Sequence, residues 1–131
     1  MGDLERLSRC HRLFVTTYGS AGRSSTVPVW FTVHEGKVYF TTQKASLKAR
    51  RIRRNPRVTL RFGSPRAPAF EGRAAWAEPS AYDVILPAYR RKYWYIWWLM
   101  GRVIRRRRDD GTSTAVEVAL LDGRGDGEPC S

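Results

Sequence analysis

The fold of this chain is decided by residues 26–57, which read TVPVWFTVHEGKVYFTTQKASLKARRIRRNPR. Apolar and more polar residues alternate over 26–34 and predict a strand with one buried face. Glu35 and Gly36 then predict a tight hairpin, because glycine readily adopts the positive φ that such turns need. The return strand is predicted over 37–42, so the segment begins as an antiparallel strand pair.

A short basic helix is predicted directly after this hairpin. Ser46 is a favoured N-cap residue, and Asn55 should end the helix because a residue that precedes proline disfavours the helical conformation. Helix starts offer free backbone N–H groups and are frequent phosphate sites, so the segment predicts an anion site. Its predicted members are Thr41, Thr42, Ser46, Lys48, Arg51 and Arg54. The alternative is a basic helix face that is only solvated.

The rest of the chain predicts further strands followed by a helical region. The additional strands are predicted over 12–18, 57–62, 69–77 and 115–121. Gly72 predicts a bulge in the third of them. Ser80 is expected to cap a short helix, and Pro87 to begin a longer one. We therefore predict one mainly β (α+β) domain over residues 1–124, a six-stranded antiparallel barrel or curled sheet with two or three packed helices. A disordered tail is predicted over 125–131.

Composition limits the function classes that fit this chain. Its 131 residues carry a net charge of +12, which attracts phosphates, polycarboxylates, nucleic acids and anionic lipids alike. The sequence has two histidines, no Gly-x-Ser-x-Gly motif and no glycine-rich nucleotide loop. It shows no Cys/His cluster with metal-ligand spacing, so no metal site is predicted. An enzyme with this sequence would depend on a bound cofactor for its reactive atoms.

Four motifs occur in order: T-x-P-V-W-F, E-G-K-V-Y-F-T-T, S-x-K-x-x-R-I-R-R-N-P-R-V and F-E-G-R-A. Together they resemble the pyridoxamine 5'-phosphate oxidase-like split β-barrel family. Within it, the sequence is most similar to the actinobacterial branch that uses the deazaflavin cofactor F420. The resemblance covers roughly residues 13–77. It implies a six-stranded antiparallel split β-barrel that forms a homodimer, with the cofactor in a groove between the subunits.

The resemblance also implies roles for individual residues. The residues that match its phosphate-binding segment are Thr41, Thr42, Ser46 and Lys48. Those that match the strand whose backbone lines the flavin-type ring are Pro28, Val29 and Trp30. The basic positions that suit the oligoglutamate tail of F420 are Arg51 and Arg54. The implied function is an F420-dependent oxidoreductase that transfers a hydride between the cofactor and a small electrophilic organic substrate.

Three alternatives remain open at this point. FMN is the alternative cofactor, although residues 24–26 read Ser-Ser-Thr where FMN-binding oxidases tend to carry an arginine. The protein could instead be an FMN- or haem-binding split barrel without turnover of its own. A basic nucleic-acid-binding module is less favoured, because the aromatic residues lie in a different element from the basic helix.

The aromatic segment RRKYWYIWWLM, residues 90–100, has apolar residues around too much of a helix for one buried stripe. We interpret it first as a core face plus a dimer face. The alternatives are a wall of the substrate pocket and a peripheral contact with a membrane surface. Tyr89 and Tyr93 are the candidate proton donors, and no other catalytic side chain is indicated. Because no secretion signal is visible, a cytoplasmic location is predicted. The aromatic segment adds the alternative that the protein is associated with a membrane.

Overall fold

The computed structural model describes residue 7 and residues 9–19, 22–43, 46–109 and 113–120. The strands in this part of the chain are β1 Leu13–Tyr18, β2 Ser24–Val29, β3 Thr32–His34, β4 Lys37–Gln43, β5 Arg57–Phe62, β6 Phe70–Trp76 and β7 Ser113–Leu120. The α-helices are α1 Leu47–Arg54, α2 Tyr82–Lys92 and α3 Trp94–Asp109. The predicted mainly β, α+β split-barrel fold is confirmed. The predicted tail, 125–131, lies outside the described residues.

All seven strands belong to one antiparallel sheet with the order β2-β1-β5-β6-β7-β4-β3. β2 and β3 are consecutive in the chain, yet they lie at opposite edges of this sheet. The predicted single strand over 26–34 is therefore wrong, and the described residues form seven strands rather than six. Trp30 and Phe31, which we call the corner, carry the chain from one edge to the other.

The corner exists because its two side chains enter different cores. Phe31 is fully buried inside the barrel, together with alternating residues of the strands such as Val15 and Leu60. Trp30 points to the other side, where it packs against the aromatic side chains of the helical region. Burying side chains of this size stabilises the fold by about 1.5–3 kcal/mol each, so moving either residue out of its core would lower the stability of the fold.

Gly36 lies in the tight turn that the sequence predicts, whereas Gly72 does not form the predicted bulge. The β3–β4 hairpin turns at Glu35 and Gly36, whose φ values of 50° and 77° are both positive, as the predicted tight turn requires. Gly72, in contrast, forms no bulge, because it pairs in register with Val58 and with Leu120. A Cβ atom at Gly72 would lie 2.5 Å from Cγ1 of Val118, so the glycine is needed for close packing.

The helical region also departs from its prediction. Ser80 lies in a 3-10 turn, Pro79–Ala81, and does not cap a helix. Pro87 lies inside α2, and the break between helices falls at Tyr93. Tyr93 is fully buried, and its contacts with the corner outweigh the local preference of proline for a helix start. Among the described residues, no helix combines the length and the apolar character needed to cross a bilayer.

Candidate functional site

A cavity of about 250 Å³ lies where β4 ends and α1 begins, and we call it the anion cavity. The residues that line it are Thr41, Thr42, Gln43, Ser46, Lys48, Ile104 and Arg107. The structure thus brings together four of the residues predicted for phosphate binding. The lining holds hydroxyl groups and two cationic side chains, and it holds no carboxylate.

Ser46 organises the helix end of this cavity. Its Oγ accepts a hydrogen bond from the backbone N–H of Ala49 at 3.1 Å, which confirms the predicted N-cap of α1. Oγ1 of Thr42 lies 3.1 Å from the same Oγ atom. The cap therefore fixes two hydroxyl groups beside the positive end of the helix dipole.

Lys48 supplies a cation that has no anionic partner within the described part of the chain. Its Nζ atom lies 5.6 Å from the centre of the Phe40 ring, and no described carboxylate forms an ion pair with it. Burial lowers the pKa of Lys48 to about 8, because the charged ammonium loses solvation. An anion bound in the cavity would restore that lost stabilisation.

Arg107 is the charged member of this cavity that the sequence did not indicate; the other two are Gln43 and Ile104. Arg107 comes from the last turns of α3, and its guanidinium donates to the side-chain oxygen of Gln43 at 3.1 Å when the Gln43 amide is oriented to accept. Sequence inspection accounts for the arginines at the end of this helix by the helix dipole alone. Only the packing of α3 against β7, the strand beside β4, places Arg107 at the cavity.

A second, larger cavity of about 570 Å³ lies on another side of α1, and we call it the arginine cavity. Its basic lining residues are Arg23, Arg50, Arg51, Arg53 and Arg54. Nη1 of Arg51 donates to Oγ of Ser25 at 2.7 Å, which ties this side chain to β2. Arg51 and Arg54 therefore lie together, and neither lines the anion cavity.

The third predicted group, Pro28, Val29 and Trp30, contributes no lining residue to either cavity of its own chain. Pro28 and Val29 are at the end of the edge strand β2, where Pro28 is exposed. The Trp30 ring is stacked on Tyr93, with ring centres 4.1 Å apart and planes 5° from parallel. The structure does not bring these residues to the anion cavity within one protomer.

Tyr89 and Tyr93 hold the corner in place. The hydroxyl of Tyr89 donates to the backbone oxygen of Trp30 at 2.8 Å. The hydroxyl of Tyr93 donates to the backbone oxygen of His11 at 2.6 Å and accepts from the N–H of Phe31 at 3.4 Å. Burial raises the pKa of both tyrosines, so each phenol stays protonated and engaged with the backbone.

Lys92 makes a similar contact from the last turn of α2. Its Nζ atom donates to the backbone oxygen of Phe31 at 3.1 Å and lies 3.4 Å from the centre of the Phe31 ring. Burial lowers the pKa of Lys92 from 10.5 to about 7. The unfolded chain therefore gains a proton at this lysine as the pH falls from 10.5 toward 7, whereas the folded protein does not.

We expect the free energy of unfolding to rise with pH between about 7 and 9.5, because the unfolded state binds more protons across this window. Lys92→Met should flatten this rise, leaving a smaller contribution from Lys48. The measurement is urea unfolding at several pH values. Arg91→Met is the matched control, since it replaces a neighbouring exposed side chain by the same residue type. A Lys92→Met profile parallel to that of the wild type would contradict the expectation.

No curated protein sequence matches the chain significantly. Among solved structures, the haem storage protein HutZ of Vibrio cholerae has a TM-score of 0.70 at 14% identity, with 92% of this chain and 88% of HutZ covered. A conserved hypothetical protein of Mycobacterium tuberculosis has a TM-score of 0.64 at 20% identity, covering 90% of this chain and 78% of that one. An F420 reductase has a TM-score of 0.59 at 18% identity, covering 93% of this chain and 95% of the reductase.

At these identities the solved structures establish the fold alone. The assignment of the family comes from the sequence, because the family model described as pyridoxamine 5'-phosphate oxidase matches residues 4–125. That match extends well beyond the four motifs and includes all the strands and helices described above. The chain belongs to the pyridoxamine 5'-phosphate oxidase family.

Proposed function

We propose that this protein is an F420-dependent oxidoreductase and that the anion cavity holds the phosphate of the cofactor. The observation that carries the proposal is the convergence of the Ser46 cap, Lys48 and Arg107 on one small cavity that has no carboxylate in its lining. Capped helix starts with a cation beside them bind phosphate through hydrogen bonds and charge together.

The dimensions of the cavity agree with a phosphate group rather than with a whole cofactor. A volume of about 250 Å³ is below the range of about 300–1,000 Å³ that is usual for whole small-molecule sites. We place the ring outside this cavity, against the backbone of residues 28–30 of a second protomer, because these residues do not line the anion cavity of their own chain. The proposal thus requires a homodimer, with each site shared between two protomers.

The arginine cavity favours F420 over FMN. It places the guanidinium groups of Arg51 and Arg54 in one cavity together with three further arginines, around a space of about 570 Å³. FMN ends at its phosphate and has no polycarboxylate that would need such a surface. The oligoglutamate tail of F420 carries several carboxylates, which arginine binds well in bidentate pairs.

When bound, reduced F420 supplies the hydride that an electrophilic organic substrate accepts. The chain itself provides binding and orientation: Ser46, Lys48 and Arg107 hold the phosphate, and residues 28–30 support the ring. Tyr89 and Tyr93 stay outside this scheme as proton donors, because both hydroxyls are bonded to the backbone in a buried cluster. We assign the proton that completes the reduction of the substrate to water.

Haem binding is the second candidate, and the geometry supports it less. Haem proteins of many kinds use an axial histidine. His11 and His34 line neither the anion cavity nor the arginine cavity. A nucleic-acid module would use the exposed arginines of α1, but that helix carries no aromatic side chain on which bases could stack.

A three-ligand titration tests the proposed function. Purified protein is titrated with F420, FMN and haem, and binding is followed by quenching of tryptophan fluorescence and by visible spectra. We expect saturable binding of F420 that is tighter than binding of FMN, with no haem spectrum characteristic of axial ligation. Binding of FMN in preference to F420, or of neither cofactor, would overturn the assignment of F420.

A further inference from the structure

We propose that the outward face of α3 docks on a membrane surface that carries anionic lipids. This inference concerns a different surface from the cofactor site and does not depend on which cofactor binds. It rests on the exposed side chains of α3, on their charge and on their distribution over the molecule.

Large apolar side chains are concentrated on one face of α3. Trp94 and Trp98, one turn apart, are 73% and 75% exposed. Tyr95 and Leu99, the next pair along the same face, are 46% and 57% exposed. Helical geometry places residues i, i+1, i+4 and i+5 on one side, so these four side chains form a continuous aromatic patch.

This concentration is specific to α3. Among the described residues, seven large apolar side chains are exposed, and five of them lie on this helix: the aromatic patch and Val103. The other two, Leu47 and Trp76, are isolated on different elements. Single exposed apolar residues need no explanation, but a continuous patch indicates a contact surface.

Arginines follow the aromatic patch along α3. Arg102 lies one turn after Trp98 and Arg106 one turn after Arg102, and both are exposed. Arg105 contacts the ring of Trp97 instead, and it lines a neighbouring cavity with Arg90 and Arg91 of α2. Residues 94–108 contain no acidic side chain. Aromatic rings bordered by arginines suit the interface of a bilayer, where the rings enter the headgroup region and the guanidinium groups reach lipid phosphates.

A second copy of this chain suits the same face less well. Two copies that met through α3 would bring these arginines together, and residues 94–108 of the helix offer no carboxylate to pair with them. The inner face of α3 is already used, because Ile96, Trp97 and Ile104 pack on the helical core. The charge of the outer face therefore complements an anionic lipid surface and repels a copy of itself.

Vesicle flotation tests this proposal with the full chain. We expect the protein to float with vesicles of phosphatidylcholine and phosphatidylglycerol at low salt, and much less with phosphatidylcholine alone. Trp98→Ala should lower the partition coefficient about tenfold, because a ring leaves the apolar interface. Trp76→Ala, the matched exposed tryptophan on β6, should leave it unchanged.

The electrostatic part is tested with paired arginine variants. Arg102→Gln with Arg106→Gln should lower the partition about fivefold per arginine, whereas Arg66→Gln with Arg73→Gln should not. Absence of binding to the anionic vesicles at low salt would overturn the proposal, as would equal losses in the α3 and control variants. Sedimentation equilibrium adds a further outcome: if Trp98→Ala converts a dimer to a monomer, the face joins copies of the chain and the proposal is wrong.

Discussion

Replacing Lys48 by alanine is expected to weaken F420 binding about 10- to 100-fold. Hydrogen bonds to a charged group contribute about 1.5–3 kcal/mol, and each 1.4 kcal/mol corresponds to a tenfold change in affinity. The loss follows from the position of Lys48 in the anion cavity, where no described carboxylate pairs with it. The measurement is the dissociation constant from quenching of tryptophan fluorescence.

The pH dependence of F420 binding is a second test of the role of Lys48. Because the pKa of Lys48 is lowered to about 8, the wild type should lose affinity as the pH rises above 8 and the ammonium deprotonates. Lys48→Ala should lack that loss, and Lys48→Arg should keep most of the affinity at neutral pH. The control is Lys37→Ala at the other end of β4, which removes a lysine that pairs with Glu117 at 3.3 Å. Equal dissociation constants for wild type and Lys48→Ala would show that the phosphate binds elsewhere.

Tyr93→Ala should destabilise the protein by about 3–5 kcal/mol, the usual cost of truncating a large aromatic side chain in a core. Tyr93 is fully buried, is stacked on Trp30 and bonds to the backbone of His11 and Phe31. Its loss removes one of the contacts by which the helical region holds the corner, beside those of Tyr89 and Lys92. Urea unfolding measures the effect. A loss of this size is a large part of the free energy of unfolding of a small domain.

Tyr93→Phe separates the ring from the hydroxyl. It keeps the stack on Trp30 and should cost about 1–3 kcal/mol, because the buried N–H of Phe31 loses its acceptor and the backbone oxygen of His11 loses its donor. Tyr95→Ala, an exposed neighbour on the other side of the break, is the control and should change stability by less than about 0.5 kcal/mol. If Tyr93→Ala were no more destabilising than Tyr95→Ala, the corner would not depend on this side chain.

Local features of the chain were predictable from the sequence. The β3–β4 hairpin follows from Glu35 and Gly36, and the start and end of α1 follow from Ser46 and Asn55. Each of these depends on residues within one turn of the chain, where backbone preferences dominate. The part of the anion cavity contributed by β4 and α1 was predictable for the same reason.

The features that were not predictable depend on contacts between distant elements. The break at the corner needs the separate cores that Trp30 and Phe31 enter, and the helix break at Tyr93 needs the corner itself. Arg107 reaches the anion cavity only through the packing of α3. The separation of Arg51 from Lys48 likewise depends on Ser25, a residue of a different strand. Sequence patterns of one element carry no information on these partners.

The most direct test of the proposed function is a crystal structure of the protein grown with F420. We predict that oxygen atoms of the cofactor phosphate lie within hydrogen-bonding distance of Ser46 and Lys48 of one protomer. The ring should lie against residues 28–30 of the partner protomer, and the tail should enter the arginine cavity. A phosphate bound outside the anion cavity, or an ordered cavity that stays without cofactor at saturating F420, would contradict the account.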